Sequence, residues 1–91
     1  MAQSCSIDAT FHSEERYSKI SLAYIDKSDK EAIENAIQTA LKHTSIEPNI
    51  YDSEVTEGKS VIVVEFHDDY DREGGDVFDE ILKILGIKVC Q

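Results

Sequence analysis

Hydrophobic and polar residues alternate over two stretches near the start of the chain. The apolar positions are Cys5, Ile7, Ala9 and Phe11 in the first stretch, and Ile20, Leu22 and Tyr24 in the second. Alternation with a period of two is typical of a strand with one buried and one exposed face. The pattern therefore predicts strands over about 5–11 and 17–25, separated by the polar segment 12–16.

The pattern then changes to helical spacing. Apolar side chains recur three or four positions apart at Ile33, Ala36, Ile37, Ala40 and Leu41, which predicts an amphipathic helix over about 29–43. Ser28 and Glu31 have the spacing of a capping box, in which each side chain accepts a hydrogen bond from the other residue's amide. Pro48 prevents the helix from continuing.

The second half of the chain repeats the succession of strands and a helix. We expect a strand over 49–57, a turn at Gly58 and Lys59, and a strand over 60–67 that is apolar on both sides and therefore covered on both faces. A second helix is predicted over 76–85, capped by Asp76 and ended by Gly86. Its buried side is expected to consist of Val77, Phe78, Ile81, Leu82, Ile84 and Leu85. The residues expected in the core are Ile33, Ile37, Leu41, Val61, Val63, Phe78, Ile81 and Leu85. A short strand follows over 87–90.

From Tyr17 onward this order is strand, helix, strand, strand, helix, strand, which predicts a ferredoxin-like split βαβ fold. The class is α+β: a two-layer sandwich with an antiparallel sheet and two helices on one face. With 91 residues, the chain is expected to be a single domain, 1–91, in which 1–16 is an extension or an extra strand. Either that segment lies elsewhere, or the last strand moves outward beside it, which would bring Cys5 and Cys90 together.

Composition limits the possible partners. The chain has 19 acidic and 9 basic residues and a formal net charge of −10, which argues against direct binding to nucleic acid or to an anionic membrane. No apolar run reaches membrane-spanning length and the start lacks a signal-peptide pattern, so we expect a soluble, cytoplasmic protein. In that compartment the two cysteines are interpreted as thiols.

Catalytic motifs are not evident in the sequence. The three histidines are far apart, no Gly-x-Ser-x-Gly turn is present, and the glycine-rich stretch at Gly74 is acidic and would repel phosphate. We therefore predict a non-enzymatic protein that needs no cofactor.

One loop has the spacing of a calcium site. Oxygen-bearing residues fall at positions one, three, five and twelve of 69–80, with glycine at position six, as in an EF-hand. The candidate ligands are Asp69, Asp71, Glu73 and Glu80. Against this interpretation, position eight is the charged Asp76, and a strand rather than a helix precedes the loop.

The charge is concentrated in one part of the chain. Residues 47–80 contain 12 acidic and 2 basic residues, and folding alone does not require such clustering, because it creates repulsion. We expect this region to bind a basic protein that handles nucleic acid and to block it, because carboxylates can replace phosphates as partners of Arg and Lys. The candidate contact residues are Glu54, Glu57, Asp68, Asp69, Tyr70, Asp71 and Glu73.

Phage-encoded inhibitors of host defence, including anti-CRISPR proteins, and immunity proteins against nuclease toxins are similar in size and charge, although no motif is shared. Two alternatives remain open. One is a regulatory or small-ligand-binding domain that acts as a homo-oligomer through its open sheet face or an edge strand. The other is a calcium-binding module that uses the 69–80 loop.

Overall fold

The computed structural model describes residues 6–44, 47–56, 58–69, 73–86 and 89–90. Within these residues the chain forms five strands and two helices. Their bounds are β1 Ile7–Ser13, β2 Tyr17–Tyr24, α1 Lys27–Leu41, β3 Asn49–Thr56, β4 Lys59–His67, α2 Glu73–Leu85 and β5 Val89–Cys90. The α+β class and the strand-and-helix order agree with the prediction.

The sheet does not have the ferredoxin-like strand order. Its order is β3-β4-β2-β1-β5, and β1 pairs along β2 from Asp8 opposite Ala23 to Ser13 opposite Ser18. That hairpin occupies the place beside β2 where a ferredoxin-like fold puts its last strand. The last strand, β5, therefore lies outside β1, with Ile7 opposite Val89.

This arrangement is the second of the two predicted alternatives, in which the N-terminal segment joins the sheet and the last strand moves outward. It also corrects the prediction of a purely antiparallel sheet. Because β1 is interposed, β5 runs parallel to β1 while the other pairs remain antiparallel, and the sheet is mixed.

Helix α1 begins two residues earlier than the pattern predicts. The Asp26 carboxylate, and not the Ser28 hydroxyl, caps the helix by accepting from the Ser28 amide over 3.0 Å. The predicted capping box at Ser28 and Glu31 is therefore wrong, because a competing acceptor stands two residues upstream. Asp29 lies in the first turn of α1 and is buried.

Helix α2 also begins earlier than expected, at Glu73 instead of Asp76. Its predicted end is confirmed, since the last α-helical residue is Leu85 and Gly86 follows with a φ of 59°, a conformation that favours glycine. In the described ranges, neither helix has the length and apolar character that crossing a membrane requires.

The core lies between the two helices and one face of the sheet. The predicted core residues Ile33, Ile37, Val63, Phe78, Ile81 and Leu85 are buried, whereas Leu41 and Val61 are partly exposed. Ile84, which the helical pattern assigned to the buried side of α2, is 43% exposed. Strand β4 lies inside the sheet as predicted, but the helices cover only its Ile62, Val64 and Phe66 side.

Cys90 is disulfide-bonded, which corrects the interpretation of the cysteines as free thiols. It lies on β5, opposite Asp8 of β1. The sequence contains one other cysteine, Cys5, which lies outside the described residues. Spacing cannot distinguish a thiol from half a disulfide when the strand order is unknown.

Candidate functional site: an acidic cleft beside a buried aspartate

Asp69 is a buried carboxylate that joins three parts of the fold. Its side chain accepts a hydrogen bond from the Ser18 hydroxyl on β2 over 2.9 Å. It also accepts from the amides of Glu73 and Gly74 over 2.7 and 2.9 Å, at the N-terminus of α2. Its own amide donates to the Arg16 carbonyl over 2.9 Å. Asp69 therefore fixes where α2 begins and how α2 meets the sheet.

Gly74 is required at this junction because the backbone approaches β2 closely. A Cβ atom placed on Gly74 would lie 2.6 Å from the Ser18 Cβ and 3.0 Å from an Asp69 carboxylate oxygen. The neighbouring Gly75 has more space, since its nearest atom would be the Phe11 Cζ at 3.9 Å. The two adjacent glycines therefore have different roles.

Acidic side chains of α2 line a cleft against the end of α1. Glu73, Asp76 and Glu80 occur at helical spacing and face His43 and Thr44 across a cleft of about 360 Å³. Asp68 precedes the buried Asp69, is exposed and has a φ of 57°. We call Asp68, Glu73, Asp76 and Glu80 the α2 acidic face. The helix dipole favours Glu73 and Asp76 in the first turn of α2, whereas like charges three or four positions apart on a helix repel one another.

The predicted contact residues do not form one patch. Glu54 is opposite Ser60 at the start of β4, whereas Asp68 follows the end of β4, a separation of roughly 26 Å at about 3.3 Å per residue. Asp69 is 1% exposed with both carboxylate oxygens hydrogen-bonded, so its assignment as a surface contact is corrected. Glu57, Tyr70 and Asp71 lie outside the described residues.

The described part of the 69–80 segment differs from an EF-hand loop, and the calcium interpretation stays a prediction. Gly74, which an EF-hand places at the bend of the loop, lies inside α2, and the helix has already begun at Glu73. Both oxygens of Asp69 accept hydrogen bonds within the chain. In the part of the chain that the structure describes, no group of three candidate ligands converges, and Asp71 lies outside that part. The described residues give a strand that ends at His67 and a helix that begins at Glu73.

The sheet face away from the helices has a polar cluster of its own. The Tyr17 hydroxyl donates to the Glu65 carboxylate over 2.5 Å. That hydrogen bond, together with burial and the Glu65 charge, raises the pKa of Tyr17 to about 12. The pKa of Tyr51 is also raised, by burial and by Glu65. Glu65 is thus committed to neighbouring side chains, although its position in the sequence suggested an exposed acid.

Sequence reasoning missed the cleft because it began the second helix at Asp76 and left Glu73 in the preceding loop. The spacing of Glu73, Asp76 and Glu80 was a usable signal, since residues three, four or seven apart share one face of a helix. An earlier helix start would have grouped them. The role of Asp69 could not be inferred, because it depends on Ser18, which is 51 residues away in the chain.

Comparisons with protein-family models, with curated proteins and with solved structures gave no match to this chain. The role of the α2 acidic face must therefore be inferred from its own chemistry.

Replacing Asp69 by Ala is expected to lower the free energy of unfolding by about 2–4 kcal/mol, because the Ser18 hydroxyl and two buried amides lose their acceptor. Urea denaturation measures this loss. The matched control is Asp68→Asn at the exposed neighbour, where asparagine tolerates the positive φ and the change should stay within about 0.5 kcal/mol. Equal effects at the two positions would contradict the assigned role of Asp69.

Alanine substitutions at the two adjacent glycines are expected to have opposite signs. Gly74→Ala should destabilise the protein, since its Cβ would overlap Ser18. Gly75→Ala should stabilise it by about 0.5–1 kcal/mol, because alanine favours a helix and has room there. Thermal denaturation of both variants checks this prediction. Stabilisation by both substitutions would show that α2 does not approach β2 as closely as described.

Proposed function

We propose that this chain is a small non-enzymatic inhibitor that binds a basic, nucleic-acid-handling protein through the α2 acidic face. The single observation that supports this proposal most is the cleft in which Glu73, Asp76 and Glu80 are aligned at helical spacing. These three carboxylates form a row along one face of α2, and the exposed Asp68 precedes that helix in the chain. Such a row can replace a phosphate backbone as the partner of Arg and Lys side chains.

The distribution of charge adds to this support. Helix α2 has four acidic residues, Glu73, Asp76, Asp79 and Glu80, against one base, Lys83. The fold itself uses the neighbouring Asp69, whose burial and hydrogen bonds explain its presence. Within the described ranges, Asp68 and Asp76 are exposed and neither is buried in the way that Asp69 is, although the helix dipole favours Asp76 in the first turn of α2. Binding to a basic protein of complementary charge would account for the carboxylates of Asp68 and Asp76.

Inhibition would result because this protein occupies the groove in which its partner binds nucleic acid. A basic groove that accepts nucleic acid is filled by the carboxylate row, and nucleic acid is then excluded by competition. Phage inhibitors of host defence, including anti-CRISPR proteins that act as DNA mimics, and nuclease-immunity proteins belong to this functional class. A cytoplasmic location would bring the protein to such partners, and the disulfide at Cys90 would then be unusual for that reducing compartment.

A second candidate is a regulatory or small-ligand-binding domain that acts as a homo-oligomer. It is favoured by the exposed apolar side chains of β3, where Ile50 and Tyr51 are each 44% exposed and Val55 is 59% exposed. We place it second because Asp52 and Glu54 on the same strand would oppose like charges in a second copy.

The test is capture of partners from an extract of the source cells, repeated across a salt series. The parent protein should retain a basic nucleic-acid-binding protein that is released as salt rises, because ions screen the attraction. The double variant Asp68→Asn with Asp76→Asn should lose at least about tenfold in affinity for that protein, a plausible loss for two charge-assisted contacts. A competition assay with the partner's own nucleic acid measures inhibition directly.

The control removes two exposed charges elsewhere, with Asp8→Asn and Glu31→Gln, and should change the affinity little. All four positions are exposed, so the variants should fold alike. Binding that is insensitive to salt, or that survives the loss of Asp68 and Asp76 unchanged, would contradict the proposal. Capture of acidic or neutral proteins alone would contradict it as well.

A further inference from the structure

We infer that the groove between α1 and β3 holds an arginine or lysine side chain of an extended segment that adds to the free edge of β3. This inference concerns a surface separate from the α2 acidic face. It rests on the proposed function for the class of partner, which is a basic protein. It adds a second binding element for that partner, namely the edge of β3 with the adjoining groove.

The groove has the chemistry of a site for a long cationic side chain. Its volume is about 420 Å³ and its lining includes three isoleucines, Ile37, Ile50 and Ile62. The carboxylates of Glu34 and Asp52 belong to the same lining. Arg and Lys side chains match this combination, because their aliphatic stems cover apolar surface while the charged head reaches a carboxylate.

The adjoining strand is open to pairing. β3 is at the end of the described sheet, and all eight of its residues are exposed. In the described part of the chain, the hydrophobic core includes no residue of β3. An edge strand has one row of backbone N–H and C=O groups without a sheet partner, which is where an extended peptide can add.

Register connects the strand edge to the groove. Asp52 pairs with Ile62 and Ile50 pairs with Val64, and both partners belong to the core cluster under the helices. Asp52 therefore projects to the helix-covered side. Residues directly opposite each other on paired strands share a face, with Cβ atoms about 5 Å apart. An Arg or Lys opposite Asp52 on an added strand would consequently project into the groove.

Charge distinguishes this occupant from a second copy of the chain. β3 has two carboxylates, Asp52 and Glu54, and no basic residue, and each copy has a formal net charge of −10. Pairing two such strands would oppose like charges, which destabilises a sheet. The carboxylates thus protect the edge from self-association while attracting a basic segment.

Lys30 already competes for part of the site. Its Nζ lies 3.5 Å from an Asp52 carboxylate oxygen, with 41% and 53% of the two side chains exposed. An ion pair this exposed is weak, so an incoming guanidinium can displace it. Removing Lys30 should therefore strengthen binding, an effect that a purely structural role of Asp52 would not produce.

The test uses a blocked peptide of alternating valine and arginine as the probe, added to the intact protein at low salt. Binding should shift the backbone amide resonances of β3, and the titration gives a Kd. Two matched probes separate the parts of the site. Citrulline in place of arginine removes the charge, and N-methylation of alternate amides on the pairing edge removes the strand hydrogen bonds. Each change should weaken binding about tenfold or more.

Protein variants test the same contacts. Glu34→Gln with Asp52→Asn should raise the Kd about tenfold, Lys30→Ala should lower it, and the control Asp8→Asn with Asp79→Asn should leave it nearly unchanged. All these substitutions are at exposed or half-exposed positions, and an unchanged melting temperature verifies that the variants fold.

Three results would overturn the inference: amide shifts that miss β3, equal binding of the citrulline or N-methylated probe, or β3 shifts that depend on protein concentration alone and so indicate a second copy. Failure here is distinguishable from failure of the proposed function. Partner capture that depends on Asp68 and Asp76 while the probe misses β3 would remove this inference and leave the function in place. If the probe binds in the groove while partner capture does not depend on Asp68 and Asp76, the proposed function fails and this inference stands.

Discussion

The arrangement of this fold depends on one buried carboxylate. Asp69 joins β2 through Ser18, the β1–β2 connection through Arg16, and the N-terminus of α2 through Glu73 and Gly74. An aspartate buried without partners would be costly, but here hydrogen-bond donors surround the charge. By setting the start of α2, this junction also places the carboxylates of the acidic cleft on one face of the helix. A residue that sequence reasoning assigned to partner binding therefore positions the helix that holds the proposed contact residues.

A second constraint is the position of β1 within the sheet. With β1 beside β2, the last strand is displaced outward and the sheet reaches five strands, while two helices must cover it. The core draws on β1, β2 and β4, so β3 at the opposite edge remains exposed. The groove between α1 and β3 follows from this geometry. The hairpin thus changes the end of the sheet where β5 lies, while β3 stays at the other end with the groove beside it.

Periodicity alone predicted the elements, their order and most of the core, because alternation and helical spacing report which face of each element is buried. It failed where a distant residue decides the outcome. The start of α2 depends on Asp69 and Ser18, and the strand order depends on where β1 pairs. Asp26, and not Ser28, is the N-cap of α1, because it is an equally good acceptor and stands directly before the first residue of the helix. Charge density located the acidic region, but it could not separate the buried Asp69 from the exposed Asp68.

We propose that the acidic charge of residues 47–80 does not stabilise the fold and serves instead to bind a partner. The most direct test is the free energy of unfolding of the parent protein, measured with urea at neutral pH as NaCl is raised. Chloride is preferred to sulfate, which strengthens apolar burial in any protein. If the exposed carboxylates repel one another without serving the fold, stability should increase with NaCl as screening relieves the repulsion. Stability that is unchanged or falls with NaCl would show that these charges contribute to folding, and it would contradict the account.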